Sequence, residues 1–248
     1  MPESLRVIAN SKQLFEIQWV KNTGPYRKLI PVLEHCFEFK TNPIIITCDD
    51  DVIYPRNFLD VMVSTHLAFD AIVACRGYTM SISGDVFDTY RTWQGNEKKF
   101  VSILNLPTGK DGILYRPKYF DVSVVRERDF LRVAPSADDI WLKWHTAVRA
   151  TPVVLLSAIG FPELRNSQEV DTRVSLYRKY NKAGGNDAAI TKIEQHFVEN
   201  FGEALCHRLV PLAALECEPI STLSSRTGTC LKTAKYDEAF RLIQSKVK

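Results

Sequence analysis

The chain has 248 residues, of which 45% are hydrophobic and 25% are charged, with 11 glycines and 12 prolines. These ordinary values exclude a largely disordered or low-complexity chain, and the length suits one large domain or two small ones. The formal net charge of +3 is too small to predict a nucleic-acid partner, although it permits a weak preference for anionic ligands or membrane surfaces.

The cysteines and the N-terminus indicate a compartment. The six cysteines lie far apart without a C-x-x-C pair, and Cys48 and Cys75 sit in apolar runs, where free thiols act as small core residues. Residues 1–4 lack the apolar stretch of a signal peptide, and no window approaches eighteen apolar residues. We therefore expect a cytoplasmic protein, with peripheral contact at the inner membrane surface left open.

The first half of the chain alternates strand and helix patterns. Alternating polarity predicts a half-buried strand at Phe15–Val20, and Pro31 is expected to open a helix. The apolar run Ile44–Ile46 predicts a strand covered on both faces, Pro55 a helix start, and Ala71–Cys75 a second buried strand. Because strand, helix and strand follow in this order, the sequence predicts a parallel sheet.

The second half continues this pattern and then becomes helical. We expect strands at Gly112–Tyr115 and Pro152–Leu156 and a helix at Asp138–Ala150. Beyond Glu163 the pattern favours helices, and in the final stretch four apolar residues share one face: Tyr236, Phe240, Ile243 and Val247. The expected layout is an α/β core over residues 1–165 followed by a helical region over residues 166–248.

Three consecutive aspartates, Asp49, Asp50 and Asp51, follow the apolar run that ends at Cys48. Ligands of open α/β sheets bind beyond the carboxyl ends of the strands, which is where this cluster is expected. Adjacent carboxylates repel one another, and a hard divalent cation would compensate for that repulsion and bridge to a diphosphate. The alternative is a solvated acidic turn before the next helix.

A second acidic pair, Asp138 and Asp139, precedes an apolar run. Ser136 and Asp139 stand three apart and match a capping box, which gives the pair a purely structural alternative. A helix N-terminus stabilises the ionised carboxylate, so a catalytic base at this position needs burial or neighbouring charge to restore its pKa.

Three further segments are candidates for ligand binding. Asn22–Lys28 ends in two cations at a turn before a helix, which suits a diphosphate, and Arg76–Gly77 follows the second buried strand. The glycines of Gly109–Gly112 would let the backbone approach a ligand. No nucleophile elbow, Walker A loop or G-x-G-x-x-G is present, which disfavours acyl transfer and dinucleotide redox chemistry.

Four segments together resemble the GT-A glycosyltransferases, in particular the bacterial enzymes related to family 2 that build surface polysaccharides. They occur in the family's order and span roughly residues 15 to 190: Asn22–Pro31, Ile45–Pro55, Gly112–Pro117 and Ala137–Leu142. The resemblance implies a GT-A-like (Rossmann-like), mostly parallel sheet flanked by helices, with residues 1–165 binding a nucleotide sugar. It also implies sugar transfer, by an inverting mechanism, from a nucleotide diphosphate donor to a glycan or lipid-linked glycan acceptor.

The resemblance also implies residue roles. It assigns donor binding to Lys28, Asp49, Asp50, Arg76 and Gly112. It assigns Mn²⁺ or Mg²⁺ to Asp51 together with Asp49, as a Lewis acid that neutralises charge on the departing diphosphate. The base for the acceptor hydroxyl is expected to be Asp139, with Asp138 close behind.

The chain also departs from the family pattern. Only about fourteen residues precede the strand predicted at Phe15, whereas a GT-A domain begins with a strand and helix that hold the base. We therefore also consider a homo-oligomer or partner chain that completes this part, or a noncatalytic nucleotide-sugar-binding or assembly subunit. Asp111 stands where relatives have a small residue. A haloacid-dehalogenase-type phosphatase is a third alternative, disfavoured because Val52–Pro55 replaces the Gly-Thr that follows the aspartates there.

Overall fold

The structure is a computed structural model that describes residues 16–166 and 184–216. In these residues it forms the α-helices α1 (Ile30–Glu38), α2 (Phe58–Phe69), α3 (Tyr90–Gly95), α4 (Glu127–Val133), α5 (Asp138–Val148), α6 (Gly185–Phe201) and α7 (Leu205–Glu216). Short 3-10 helices occupy Gly24–Lys28, Pro117–Tyr119, Val122–Val125 and Leu156–Ile159. The strands are β1 (Ile45–Thr47), β2 (Val52–Ile53), β3 (Ile72–Ala74), β4 (Gly77–Thr79), β5 (Ile82–Ser83), β6 (Val86–Phe87), β7 (Val101–Ser102), β8 (Asn105–Pro107), β9 (Ile113–Tyr115), β10 (Val153–Leu155) and β11 (Arg165–Asn166).

The main sheet has five strands in the order β1-β9-β3-β10-β7. Only β3 and β10 pair in parallel, and the other three neighbouring pairs are antiparallel. The predicted α/β class is confirmed, but the predicted mostly parallel sheet is wrong. Strands β1 and β3 point the same way, as the strand-helix-strand order predicts, but β9 lies between them and runs antiparallel to both.

The predicted strands differ in how well they are covered. Those expected around residues 71–75, 112–115 and 152–156 form β3, β9 and β10, and each is fully buried. The run Ile44–Ile46 was expected to be covered on both faces. It contributes to β1 instead, which lies at one edge of the sheet, with Ile45 and Ile46 half-buried and Ile44 exposed.

The strand predicted at Phe15–Val20 is not formed within the described residues, which begin at Glu16. Residues 16–20 adopt no regular structure, and Trp19 is 85% exposed. Alternating polarity stabilises a strand only when a neighbouring strand supplies hydrogen bonds and an apolar face. Pro31 lies in the first turn of α1, as predicted, whereas the helix expected from Pro55 begins at Phe58, after a turn.

The sheet packs against two apolar clusters, one on each face. Alternate strand residues separate accordingly, so that Ile72 joins one cluster and Val73 the other. Helix α2 covers the Val73 face, and α5 covers the Ile72 face together with apolar residues of α6 and α7. The amphipathic stretch predicted at residues 236–247 lies outside the described residues. None of the helices that the structure describes is both long and apolar enough to cross a membrane.

The prediction of a buried thiol is confirmed for one of the two cysteines and is wrong for the other. Cys75 is buried directly after β3, as expected, but Cys48 is exposed because the chain leaves the sheet edge immediately after β1. The apolar run thus ends one residue earlier in the structure than in the sequence pattern.

Candidate active site

A cavity of about 740 Å³ lies beyond the carboxyl ends of β3 and β8. This volume is within the range of sites for small ligands and cofactors. Residues from five separate parts of the chain line it: Pro25, Lys28, Arg76, Tyr78, Tyr90, Gln94, Thr108, Gly109, Lys110, Asp138 and Asp139. Four of the site residues predicted from the sequence, Lys28, Arg76, Asp138 and Asp139, are therefore brought together.

Lys28 connects the aspartate cluster to the cavity. It ends the 3-10 helix Gly24–Lys28, and its ammonium forms an ion pair with Asp49 Oδ1. The other oxygen, Asp49 Oδ2, accepts a hydrogen bond from the backbone N–H of Asp111 at 3.1 Å. The Asp49 N–H donates to Tyr54 Oη at 2.7 Å, which fixes the turn after β1. Segments about twenty and sixty residues apart are thereby joined at one carboxylate.

Asp138 and Asp139 are the first two residues of α5. The helix cap is Ala137, and neither Ser136 nor any other side chain makes a capping hydrogen bond, so the capping-box interpretation is wrong. Asp139 Oδ1 instead accepts from the backbone N–H of Gly109 at 2.9 Å. A Cβ at residue 109 would lie 3.0 Å from that same oxygen, so glycine permits this close approach. The acidic pair therefore faces the ligand cavity.

Burial makes both carboxyl groups weaker acids than usual. Each keeps part of its surface open to the cavity while protein surrounds the rest. Burial raises the pKa of Asp138, and burial followed by the negative charge of Asp138 raises the pKa of Asp139. The charge of Lys28 acts in the opposite direction on both. Burial thus supplies the basicity that a helix N-terminus alone would remove.

The remaining predicted residues lie outside the cavity lining. Asp50 and Asp51 are exposed in the turn between β1 and β2. Within residues 16–166 and 184–216, no three His, Cys, Asp or Glu side chains converge on a position for a metal. The turn therefore offers two exposed carboxylates, those of Asp50 and Asp51, while Asp49 is already paired with Lys28.

Gly112 lies beneath the site and has a structural reason to be glycine. Its φ of +106° is in the left-handed region, and a Cβ would lie 2.8 Å from Phe58 Cζ and 3.2 Å from Thr47 O. Asp111 beside it also has a positive φ and is only 1% exposed. Burial raises the pKa of Asp111, whereas Lys110 and Arg76 lower it. Among the described residues, neither carboxylate oxygen of Asp111 has a hydrogen-bond partner of normal geometry. The backbone amide of Leu164 nevertheless acts to lower the pKa of Asp111.

Two aromatic residues that the sequence analysis did not single out form one wall of the cavity. Tyr78 in β4 and Tyr90 at the start of α3 pack edge to face, with ring centroids 5.7 Å apart. Asp187 of α6 accepts a hydrogen bond from the backbone N–H of Tyr90 at 2.7 Å. Asp187 thereby anchors the helix that carries Tyr90 and Gln94. The sequence signal for Tyr78 was its place two residues after Arg76, at the end of a buried strand.

Comparisons with protein-family models, with curated proteins and with solved structures found no match to this chain.

Proposed function

We propose that the protein is a glycosyltransferase that moves a sugar from a nucleotide diphosphate donor to a glycan or lipid-linked glycan acceptor, with inversion. The observation that carries this proposal is the meeting of Lys28, Arg76 and the pair Asp138–Asp139 in one cavity. Cations that suit a diphosphate and a carboxylate pair with raised pKa values are the two groups that this reaction requires.

The chemistry follows from this arrangement. A carboxylate of the pair, preferentially Asp139, takes the proton from the acceptor hydroxyl while that oxygen attacks the anomeric carbon of the donor sugar. The bond from that carbon to the diphosphate oxygen breaks, and the nucleoside diphosphate leaves with the bonding electrons. Lys28 and Arg76 oppose the negative charge that develops on the leaving group.

A Mg²⁺ or Mn²⁺ ion would supply Lewis-acid neutralisation of the departing diphosphate. The residues do not fit a metal cage built from protein alone, because no three suitable ligands converge in the described residues. They fit a site in which one or two carboxylates hold an ion that takes its other ligands from phosphate and water. Asp51 is the residue we assign to it, with Asp49 contributing only if it leaves Lys28.

The two tyrosines offer a surface for a sugar ring. Tyr78 and Tyr90 stand on the same cavity as the acidic pair, and aromatic faces pack well against the apolar faces of sugars. We assign the acceptor to this wall, and we place the reaction on the cytoplasmic side, where the acceptor is presented at the inner membrane surface.

The test is a screen of nucleotide sugars with Mn²⁺ and a crude acceptor extract, read by mass spectrometry. We expect the unmodified chain to release one nucleoside diphosphate and to form a glycosylated product. Asp139→Asn should abolish product formation while retaining donor binding, and Asp51→Ala should weaken donor binding only when the metal is present. If Asp51→Ala behaved like the unmodified chain with and without a chelator, the metal assignment would fail.

A second candidate is a noncatalytic nucleotide-sugar-binding or assembly subunit. Within the described residues, strand β1 lies at a sheet edge, Phe39 is 60% exposed, and Ile44 beside the strand is exposed as well. An unpaired strand edge with neighbouring apolar side chains favours association with another chain. If donor binds but transfer occurs only after a partner chain is added, this candidate replaces the first.

A further inference from the structure

One carboxylate oxygen at the mouth of the cavity binds two cations. Glu163 Oε1 lies 3.0 Å from Arg76 Nη1 and 3.0 Å from Lys110 Nζ. Arg76 and Lys110 line the cavity, whereas Glu163 approaches them from outside, with its side chain 67% exposed. The Glu163 oxygen therefore occupies the position where these two cations converge.

Two cations at hydrogen-bond distance from one oxygen are arranged as they would be around a phosphate oxygen. A guanidinium and an ammonium both bind phosphate, and charge-assisted bonds of this kind are about twice as strong as neutral ones. Lys28 is already paired with Asp49. Arg76 and Lys110 are accordingly the cations of the lining whose partner is an exposed acid at the mouth.

The backbone on both sides of Glu163 is anchored. Phe161 and Leu164 are buried in the apolar cluster beneath α2, and β11, which begins at Arg165, pairs with β2. Strand β2 follows directly after the aspartate turn. Departure of Glu163 from the two cations therefore requires only rotation of its side chain, without movement of the segment that carries it.

We propose that Arg76 and Lys110 bind the diphosphate of the ligand, and that Glu163 competes with it for both cations. This makes Lys110 a phosphate-binding residue and Glu163 a residue that sets affinity and assists release of the product diphosphate. Exposed ion pairs are weak, so a more highly charged diphosphate displaces Glu163 at small cost. The inference rests on the proposed function only for the identity of the ligand as a nucleoside diphosphate.

The test measures binding of inorganic pyrophosphate and of uridine diphosphate by calorimetry, with and without Mg²⁺. Glu163→Gln should tighten pyrophosphate binding about threefold to tenfold, because the competing charge is lost while the side-chain shape is kept. The matched control is Glu203→Gln, which removes the same charge from an exposed glutamate that pairs with Arg208 and does not line the cavity. We expect less than a twofold change for this control.

A double-mutant cycle connects the gain to the cations. Lys110→Met should weaken pyrophosphate binding, and in the Lys110→Met background Glu163→Gln should lose much of its effect. Equal affinities for Glu163→Gln and Glu203→Gln would show that Glu163 does not compete, and undetectable binding by both, with or without Mg²⁺, would overturn the anion site itself. A tightened pyrophosphate site in a protein that transfers no sugar would preserve this inference and refute the glycosyltransferase proposal.

Discussion

Asp139→Asn should stabilise the protein near neutral pH while abolishing its activity. Burial and the charge of Asp138 raise the pKa of Asp139 in the folded state. A carboxyl group with a raised folded-state pKa binds its proton more tightly in the folded than in the unfolded chain. Its unfavourable contribution is therefore absent below about pH 4 and grows as the pH rises through the folded-state pKa. Asparagine removes the charge and keeps an oxygen to accept from the Gly109 N–H.

The size of the effect follows from the shift. A pKa difference of one unit corresponds to about 1.4 kcal/mol. Because the Asp139 carboxylate keeps part of its surface open to the cavity, we expect Asp139→Asn to stabilise the folded protein by about this amount. For a protein of this length, that gain should raise the Tm by about 3–6 °C. Loss of a general base should lower kcat by about 100-fold to 10,000-fold, which leaves no product detectable in the screen, without a comparable change in donor affinity.

The assay is thermal unfolding at several pH values between 4 and 8, with Asp121→Asn as a control of opposite sign. Burial acts to raise the pKa of Asp121, but hydrogen bonds from Ser123 and the charge of Arg149 outweigh it, and the net pKa is lowered. Its stabilising contribution is present above the unfolded pKa, so Asp121→Asn should lower the Tm at neutral pH. A Tm gain for Asp139→Asn that is as large at pH 4 as at pH 8 would refute the electrostatic explanation.

Three further changes test other parts of the molecule. Gly112→Ala should destabilise the protein by about 2–4 kcal/mol in urea unfolding. Gly84→Ala, also at positive φ but with open space around it, should cost only about 1 kcal/mol. Equal losses of stability would show that the contact between a Cβ at residue 112 and Phe58 does not determine the cost. Asp187→Ala should raise KM for the acceptor by releasing Tyr90, and Asp187→Asn should restore it, since the amide oxygen still accepts the hydrogen bond. Burial lowers the pKa of His145 to about 3, so stability should fall by about 2–3 kcal/mol between pH 6.5 and pH 4.5. His145→Phe should flatten that dependence.

The strands most reliably predicted from the sequence are those in the centre of the sheet. Apolar runs such as Ala71–Cys75 and Pro152–Leu156 are long enough, and apolar enough on both faces, to have one low-energy location, in a covered sheet. The direction of each strand and its neighbours in the sheet are harder to predict from the sequence. The strand-helix-strand order predicted a parallel sheet, and β1 and β3 do run in the same direction, but β9 lies between them through a pairing with β3 across some forty residues. Such pairing has no local signal.

The predictions of the N-terminal strand and of the capping box were wrong for a related reason. The pattern at residues 16–20 matches a strand, but a strand also needs a partner, and the alternation of side chains does not report one. The same limit applies at Ser136, whose spacing to Asp139 matched a capping box although the residue at the N-cap position is Ala137, one residue later. Spacing predicts which contacts are available, whereas the tertiary bond from Gly109 determines which one Asp139 makes.

The acidic residues of the candidate site could be found from the sequence, but which of them are paired and which are exposed could not. Asp49 turns inward because Lys28 and the Asp111 amide bind it, and both lie far from it along the chain. Asp50 and Asp51 have the same chemistry and remain exposed. Glu163 lies in none of the predicted motifs, and its two ion pairs are with cations that follow separate strands.

The charge balance of the cavity explains why overall composition said so little about its ligand. Lys28 is paired with Asp49, while Arg76 and Lys110 share Glu163, so the three cations of the lining are already compensated before a ligand binds. Binding of an anion is then an exchange of one negative partner for another. Its free energy is the difference between the interaction of the cations with the anion and their interaction with the protein carboxylates. Such a site selects for charge density and geometry rather than for negative charge alone, which favours a diphosphate over a single carboxylate. A net charge of +3 over 248 residues reflects none of these pairings, since the selective groups cancel in the total.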